Sequence, residues 1–209
     1  MRKFFGEFSP SIGKIMSSNA HTLKASMRRQ LRANFSAMSA TQRAAWSQEI
    51  CSVLAVQPIW REARSILSYF PTEQEPDISP LLNQALAEGR SVCLPRQDSN
   101  GKAYGARQIQ NLGSDLEVGA FSIREPRGSC PVFPLNQLDL ALAPGVGFDL
   151  TGWRLGRGKG YYDRLLAQVS GHKCGVAFEW QIVKEIPWEP HDVRLNSILT
   201  PSRWQVVVS

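Results

Sequence analysis

The chain has 209 residues, 43% of them hydrophobic, which is enough to bury the core of one domain. Its net charge is +6, but Lys and Arg are dispersed and form no block interleaved with aromatics, so a small anionic substrate explains the excess without nucleic acid. No apolar run is long enough to span a membrane, and Cys51, Cys93, Cys130 and Cys174 lie far apart without a C-x-x-C pair, as in a reduced cytoplasmic protein.

Residues 1–22 are basic at Arg2 and Lys3, rich in Ser, and broken by Pro10 and Gly13. They read as a disordered extension to a single domain over 23–209, with Met16 as an alternative start. Phe4-Phe5-Gly6 is too short for the apolar core of a signal peptide, and a transit peptide has no strong amphipathic support. From Leu23 the residues Met27, Leu31 and Phe35 recur every fourth position and predict one apolar helix face, with Lys24, Arg28 and Arg32 along the neighbouring face. Taken alone, those cations are the solvated edge of an amphipathic helix. Ser39 and Gln42 have the spacing of a capping box, opening a second helix whose apolar stripe is Trp46, Ile50, Val53 and Leu54.

Residues 65–70 predict the first strand, followed by the polar loop Pro71-Thr-Glu-Gln-Glu75-Pro-Asp77. A helix then starts with Ser79 as its cap and Pro80 in its first turn, and ends at Gly89 before a strand over 91–94. This β-α-β unit predicts a three-layer α/β/α fold with a mostly parallel central sheet, whose ligands gather at the carboxyl ends of the strands. Phe70 and Glu75 lie at such an end, although a loop carboxylate by itself is usually just solvated. Turn signals at Asp98-Ser-Asn-Gly101 and Gly113-Ser114 separate extended pieces at 103–109 and 117–123, which predicts a hairpin-rich excursion over the sheet. A Pro-containing connection over 127–137 leads to a buried strand at 138–143.

Chemistry is densest in the next stretch, Pro144-Gly-Val-Gly-Phe-Asp149-Leu-Thr-Gly-Trp-Arg154-Leu-Gly-Arg157-Gly-Lys159-Gly-Tyr161-Tyr-Asp163. It reads as a loop between that strand and a helix over 161–169. Alternating Gly156, Gly158 and Gly160 expose backbone N–H groups and allow positive φ, while Arg157 and Lys159 bring cations to a helix start. A basic turn and a polyphosphate cradle both fit this pattern. It is not a Walker loop, because Gly160 follows Lys159 where Ser or Thr would bind magnesium, and the G-x-G-x-x-G spacing is also unmet. Asp163 serves equally as a first-turn carboxylate or as a ligand to a hard cation. Further on, a buried strand is predicted at 173–178, an irregular stretch at 186–190, and strands at 197–200 and 205–208. His21, His172 and His191 have no partner at a catalytic spacing.

The run Pro144-Gly-Val-Gly-Phe-Asp149 followed by Arg154-Leu-Gly-Arg-Gly-Lys-Gly-Tyr-Tyr-Asp163 resembles the signature of the 5-formyltetrahydrofolate cyclo-ligase family, with weaker matches from about Lys24 to Thr200. The resemblance implies ATP-dependent closure of 5-formyltetrahydrofolate to 5,10-methenyltetrahydrofolate, with release of ADP and phosphate through a phosphorylated imidate. It implies that ATP is held by Lys24 and Arg28, by Arg154, Leu155 and Gly156, and by the run Arg157, Gly158, Lys159, Gly160, Tyr161 and Tyr162. Phe70, Glu75 and Phe121 would hold the reduced pterin, together with the run from Arg157 to Tyr161. Arg157 and Lys159 would be catalytic, and Asp163 with Asp192 would bind Mg²⁺. A monomer is expected, acting on two small molecules and on neither nucleic acid nor membrane. One departure stands out: Asn196 occupies a position where the family usually has an acidic residue.

Two other readings use the same residues. A regulator could bind ATP or folate on this scaffold without turnover, although intact Asp163 and the full basic set argue against it. A phosphosugar isomerase or CoA-transfer enzyme would share the parallel α/β fold, but would need an acid/base carboxylate or a glutamate nucleophile in the signature stretch.

Overall fold

The computed structural model describes residues 17–98, 101, 103–119 and 122–208. Residues 1–16, the main part of the segment expected to be disordered, lie outside them, as does Phe121. The first helix, Ser17–Ser36 (α1), begins earlier than the spacing predicts and presents a different face. Ala20, Lys24 and Leu31 are buried, whereas Leu23 is 45% exposed. Ser39 caps Ala40–Ala55 (α2) by accepting the Gln42 N–H at 3.1 Å. A short helix, Pro58–Glu62 (α3), with Pro at its first turn, leads into strand Ser65–Leu67 (β1). Helix Ser79–Ala87 (α4) starts one residue before the expected place: Ile78 is the cap residue, and the Asp77 carboxylate accepts the Ser79 N–H at 2.9 Å. Gly89, at φ 73°, turns the chain into Ser91–Gln97 (β2).

Strand β2 runs through Pro95, where the sequence pattern stops. Pro95 lies beyond the end of β1, so its missing N–H leaves no ladder partner unpaired. Next come Tyr104–Ile109 (β3), the excursion hairpin Leu116–Val118 (β4) and Arg124–Pro126 (β5), Val132–Phe133 (β6) and Leu140–Ala143 (β7). The stretch read as one loop contains a tight hairpin, Gly147–Asp149 (β8) with Arg154–Leu155 (β9), before helix Tyr161–Leu166 (α5), which is shorter than predicted. His172–Val176 (β10), Ile182–Val183 (β11), Ser197–Thr200 (β12) and Arg203–Val206 (β13) complete the order.

Among the described residues, eight strands form one sheet in the order β13-β12-β10-β7-β1-β2-β3-β6. The inner five, β12 to β2, are parallel, and the edges are antiparallel. Alternation along each inner strand builds two cores. Ile66, Val92, Leu94, Leu140 and Leu142 face α2, α3 and α4, whereas Leu67, Cys93, Ala141 and Ala143 face α5 and β8. Each fully buried Leu or Ile contributes roughly 1.5–3 kcal/mol. Burial pushes the Cys93 and Cys174 thiols up to about 12, so they pack as neutral side chains.

Two features of this topology position the site. The chain leaves β1 toward β2 on one side and returns through β7 on the other, so a crevice opens at the carboxyl ends of β1 and β7. Strand β8 also pairs with both β9 and β11, and this small sheet carries α1 through Leu31, Leu155 and Ile186. The approach is close: a Cβ on Gly147 would lie 2.6 Å from Leu31 Cδ1. Lys24 and Arg28 are thereby brought from the far end of the sequence to the glycine-rich loop.

Candidate active site

The crevice is a cavity with about 310 Å³ open to the centres of water molecules. Its aromatic and aliphatic lining is Phe70 from the loop after β1, Leu94 and Pro95 from β2, Tyr104 from β3, and Tyr162 from α5. Arg154, Arg157 and Lys159 line the same space, as do Glu75 and Asp163, and the Arg154 guanidinium lies over the Tyr162 ring. Of the residues singled out in the sequence, Phe70, Glu75, Arg154, Gly156, Arg157 and Lys159 line this one space, and so do Gly160, Tyr161, Tyr162 and Asp163.

The hairpin β8–β9 is fixed by Asp149, which is fully buried. Its Oδ1 accepts the Thr151 N–H and hydroxyl at 3.0 and 2.6 Å and the Trp153 N–H at 3.1 Å, and its Oδ2 accepts the Ile186 N–H at 2.8 Å. That turn sets the direction of Arg154. Arg154 Nη2 donates to Asp163 Oδ1 at 2.7 Å, Nη1 donates to the Pro144 carbonyl at 3.3 Å, and the guanidinium lies over the Tyr162 ring. Beyond it, Gly158 and Gly160 have φ of 107° and 62°, conformations that a side chain rarely adopts. Arg28 Nε donates to the Gly156 carbonyl at 2.8 Å, and its guanidinium lies beside Gly158. Burial and the neighbouring Arg32 lower the pKa of Arg28, while Asp192 and Asp163 both act to raise it, so one guanidinium feels both carboxylates.

Lys24 is not at a solvated edge. It is 6% exposed, and its Nζ donates to Asp192 at 2.6 Å and to Glu189 at 3.0 Å. Asp192 Oδ2 also accepts the Glu189 N–H at 2.8 Å. Among the described residues, Glu189, His191 and Asp192 form a group whose ligand atoms lie within 4.8 Å of one another, and Asp163 is not part of it. Leu155 turns its side chain into the core with Leu31, and its carbonyl accepts the Val146 N–H, so neither faces the cavity. Asn196 sits at the amino ends of β10 and β12, where its Oδ1 accepts the Lys173 N–H at 2.8 Å. Its departure from the family pattern is therefore at the end of the sheet opposite the crevice.

Burial and the charge of Glu75 push the Tyr69 and Tyr162 phenols upward, so both stay neutral and Tyr162 acts as a wall. None of the three histidines lines the cavity. Besides Leu94, Pro95 and Tyr104, three residues that were not singled out contact site residues. Arg124 lies over the Phe70 ring at 5.0 Å, Thr72 bonds Glu75, and Glu189 bonds Lys24. Arg124 directly follows the extended piece predicted at 117–123, and Thr72 lies in the predicted polar loop 71–77, but neither has a distinguishing pattern.

A largely parallel α/β sheet with a cavity at the point where strand order reverses, lined by both cations and aromatics, is the kind of place where α/β proteins hold ligands. Comparison with known proteins names the class. A profile of the 5-formyltetrahydrofolate cyclo-ligase family matches residues 20–201, and the chain belongs to that family. It is 34% identical to the 5-formyltetrahydrofolate cyclo-ligase of Mycolicibacterium smegmatis over 67% of this chain and 75% of that one. With the Escherichia coli enzyme of the same name it shares 30% identity over 81% of this chain and 96% of that one. The NMR structure of Aquifex aeolicus 5,10-methenyltetrahydrofolate synthetase superposes with a TM-score of 0.80 at 31% identity, covering 90% of this chain and 94% of that chain. No described helix is long and apolar enough to cross a membrane.

Proposed function

We propose that this protein uses ATP and Mg²⁺ to close 5-formyltetrahydrofolate to 5,10-methenyltetrahydrofolate. The observation that carries this reading is that one cavity is lined together by the cations Arg154, Arg157 and Lys159, by the rings of Phe70, Tyr104 and Tyr162, and by Glu75. A formamide oxygen is a poor leaving group, and phosphorylation makes it a good one. The formyl oxygen attacks the γ-phosphorus and ADP departs, leaving a phosphorylated imidate. N10 of the folate then attacks the formyl carbon and gives up its proton, and the C–O bond breaks so that hydrogen phosphate leaves with that proton, giving the cyclic amidinium.

Such a sequence asks little of protein acids and bases, in keeping with a cavity that no histidine lines. It asks for positioning and charge neutralisation. Arg157 and Lys159 neutralise the transferring phosphoryl group. Arg154, Lys24 and Arg28 hold the remaining phosphates, with the amides of Gly156, Gly158 and Gly160 receiving charge as it develops. Phe70 and Glu75 hold the pterin, and Tyr161 and Tyr162 border the junction of the two substrates. Asp163 and Asp192 would supply carboxylate oxygens to Mg²⁺, in exchange for their present partners Arg154 and Lys24, and the ion would neutralise phosphate charge.

The mechanism makes a prediction about atoms. With ¹⁸O in the formyl group, the label is expected in the released phosphate, read by mass spectrometry. Label appearing in water instead would rule out the phosphorylated imidate.

A further inference from the structure

The Glu75 carboxylate accepts three hydrogen bonds, two on Oε2 from Thr72 and one on Oε1 from Arg157. The segment 72–75 closes as a turn, with the Glu75 N–H donating to the Thr72 carbonyl at 3.0 Å. The carboxylate folds back over that turn. Its Oε2 accepts the Thr72 N–H at 3.1 Å and the Thr72 hydroxyl at 2.9 Å, and its Oε1 accepts Arg157 Nη2 at 2.9 Å. The same Arg157 nitrogen donates to Thr72 Oγ1 at 3.1 Å. The hydroxyl therefore donates a hydrogen bond to the carboxylate and accepts one from the guanidinium, which satisfies its bonding in both directions.

Exposure separates the two charged partners. The Glu75 side chain is 10% exposed and Arg157 is 47% exposed, so Arg157 is the one free to leave. When it goes, Oε1 is bared toward the cavity while Thr72 still holds Oε2.

We propose that Thr72 is a positioning residue which, through Glu75 and Arg157, couples the two substrate sites, so that nucleotide binding makes Glu75 available to the pterin. This inference rests on the cyclo-ligase reading. A phosphate that draws Arg157 away removes the competitor for Oε1, and the Thr72 bonds keep the carboxylate in the geometry that the N–H groups of a pterin need. By linkage, folate then tightens nucleotide binding by the same factor.

Calorimetric titration of 5-formyltetrahydrofolate into the full chain, with and without a Mg²⁺ complex of a non-hydrolysable ATP analogue, tests the proposal. The wild type is expected to bind folate about five- to tenfold more tightly with the nucleotide. In Thr72→Val most of that gain is lost and KM for folate rises about tenfold, more than kcat falls, whereas Thr72→Ser restores both. Equal folate affinity with and without nucleotide in the wild type overturns the coupling, and so does an unchanged gain in Thr72→Val. Should Thr72→Val fold poorly, the wild-type comparison and Thr72→Ser still decide. Absence of any folate binding by the wild type contradicts the cyclo-ligase reading itself, along with this inference.

Discussion

Replacing Lys159 by Ala is expected to lower turnover about 10²- to 10³-fold, with ATP and folate saturating, while the melting temperature moves by no more than about 2 °C. The asymmetry comes from where the side chain sits. Lys159 is exposed in the loop between β9 and α5, so folding spends little on it, yet it lines the cavity beside Arg157. A cation contributes to rate to the extent that charge at the transferring phosphoryl group grows in the transition state, and no described histidine stands ready to substitute. Arg157→Ala is expected to behave alike, because its bond to Glu75 is half-exposed and contributes little to stability. Steady-state rates and a thermal melt on the same preparations decide the matter. Alanine variants with normal rates would remove both residues from the chemistry.

Asp149→Ala is expected to do the opposite and cost stability first. The carboxylate is fully buried and accepts four hydrogen bonds, three of them from backbone N–H groups of Thr151, Trp153 and Ile186. Truncation strands those donors away from water, at a cost of about 3–5 kcal/mol, or a fall of about 10 °C in melting temperature for a chain of this size. Activity is lost with it, since the turn that Asp149 holds aims Arg154 at Asp163. Denaturant unfolding measures the loss. A variant as stable as the wild type would show that the hairpin is held by packing alone.

The sequence made the central sheet legible because its inner strands are short apolar runs buried on both faces, as at 138–143 and 197–200. Phe70 and Glu75 follow the first of those strands, where ligands collect, but it was the family resemblance that marked them, because a loop carboxylate alone reads as solvated. The small sheet was not. Strands β8, β9 and β11 have two or three residues each, and the first two lie among glycines, so no period of two can establish itself. Lys24 shows the limit most plainly. Its spacing on α1 marks a polar edge, and its burial follows from Glu189 and Asp192, which lie 165 and 168 residues further along. Thr72 was missed for a similar reason, because a threonine in a polar loop has no distinctive neighbours until Arg157 arrives from the other half of the chain. The capping residue of α4 shifted from Ser79 to Ile78 because Asp77, an equally good acceptor just upstream, took the Ser79 N–H.

That one cavity brings a folate and a nucleotide into reaction is tested most directly by the appearance of methenyltetrahydrofolate absorbance on mixing the protein with 5-formyltetrahydrofolate, ATP and Mg²⁺, against controls lacking ATP or metal. Product that depends on both is the predicted result. No product while folate or ATP still binds would contradict the cyclo-ligase reading and leave a binding protein built on the same residues.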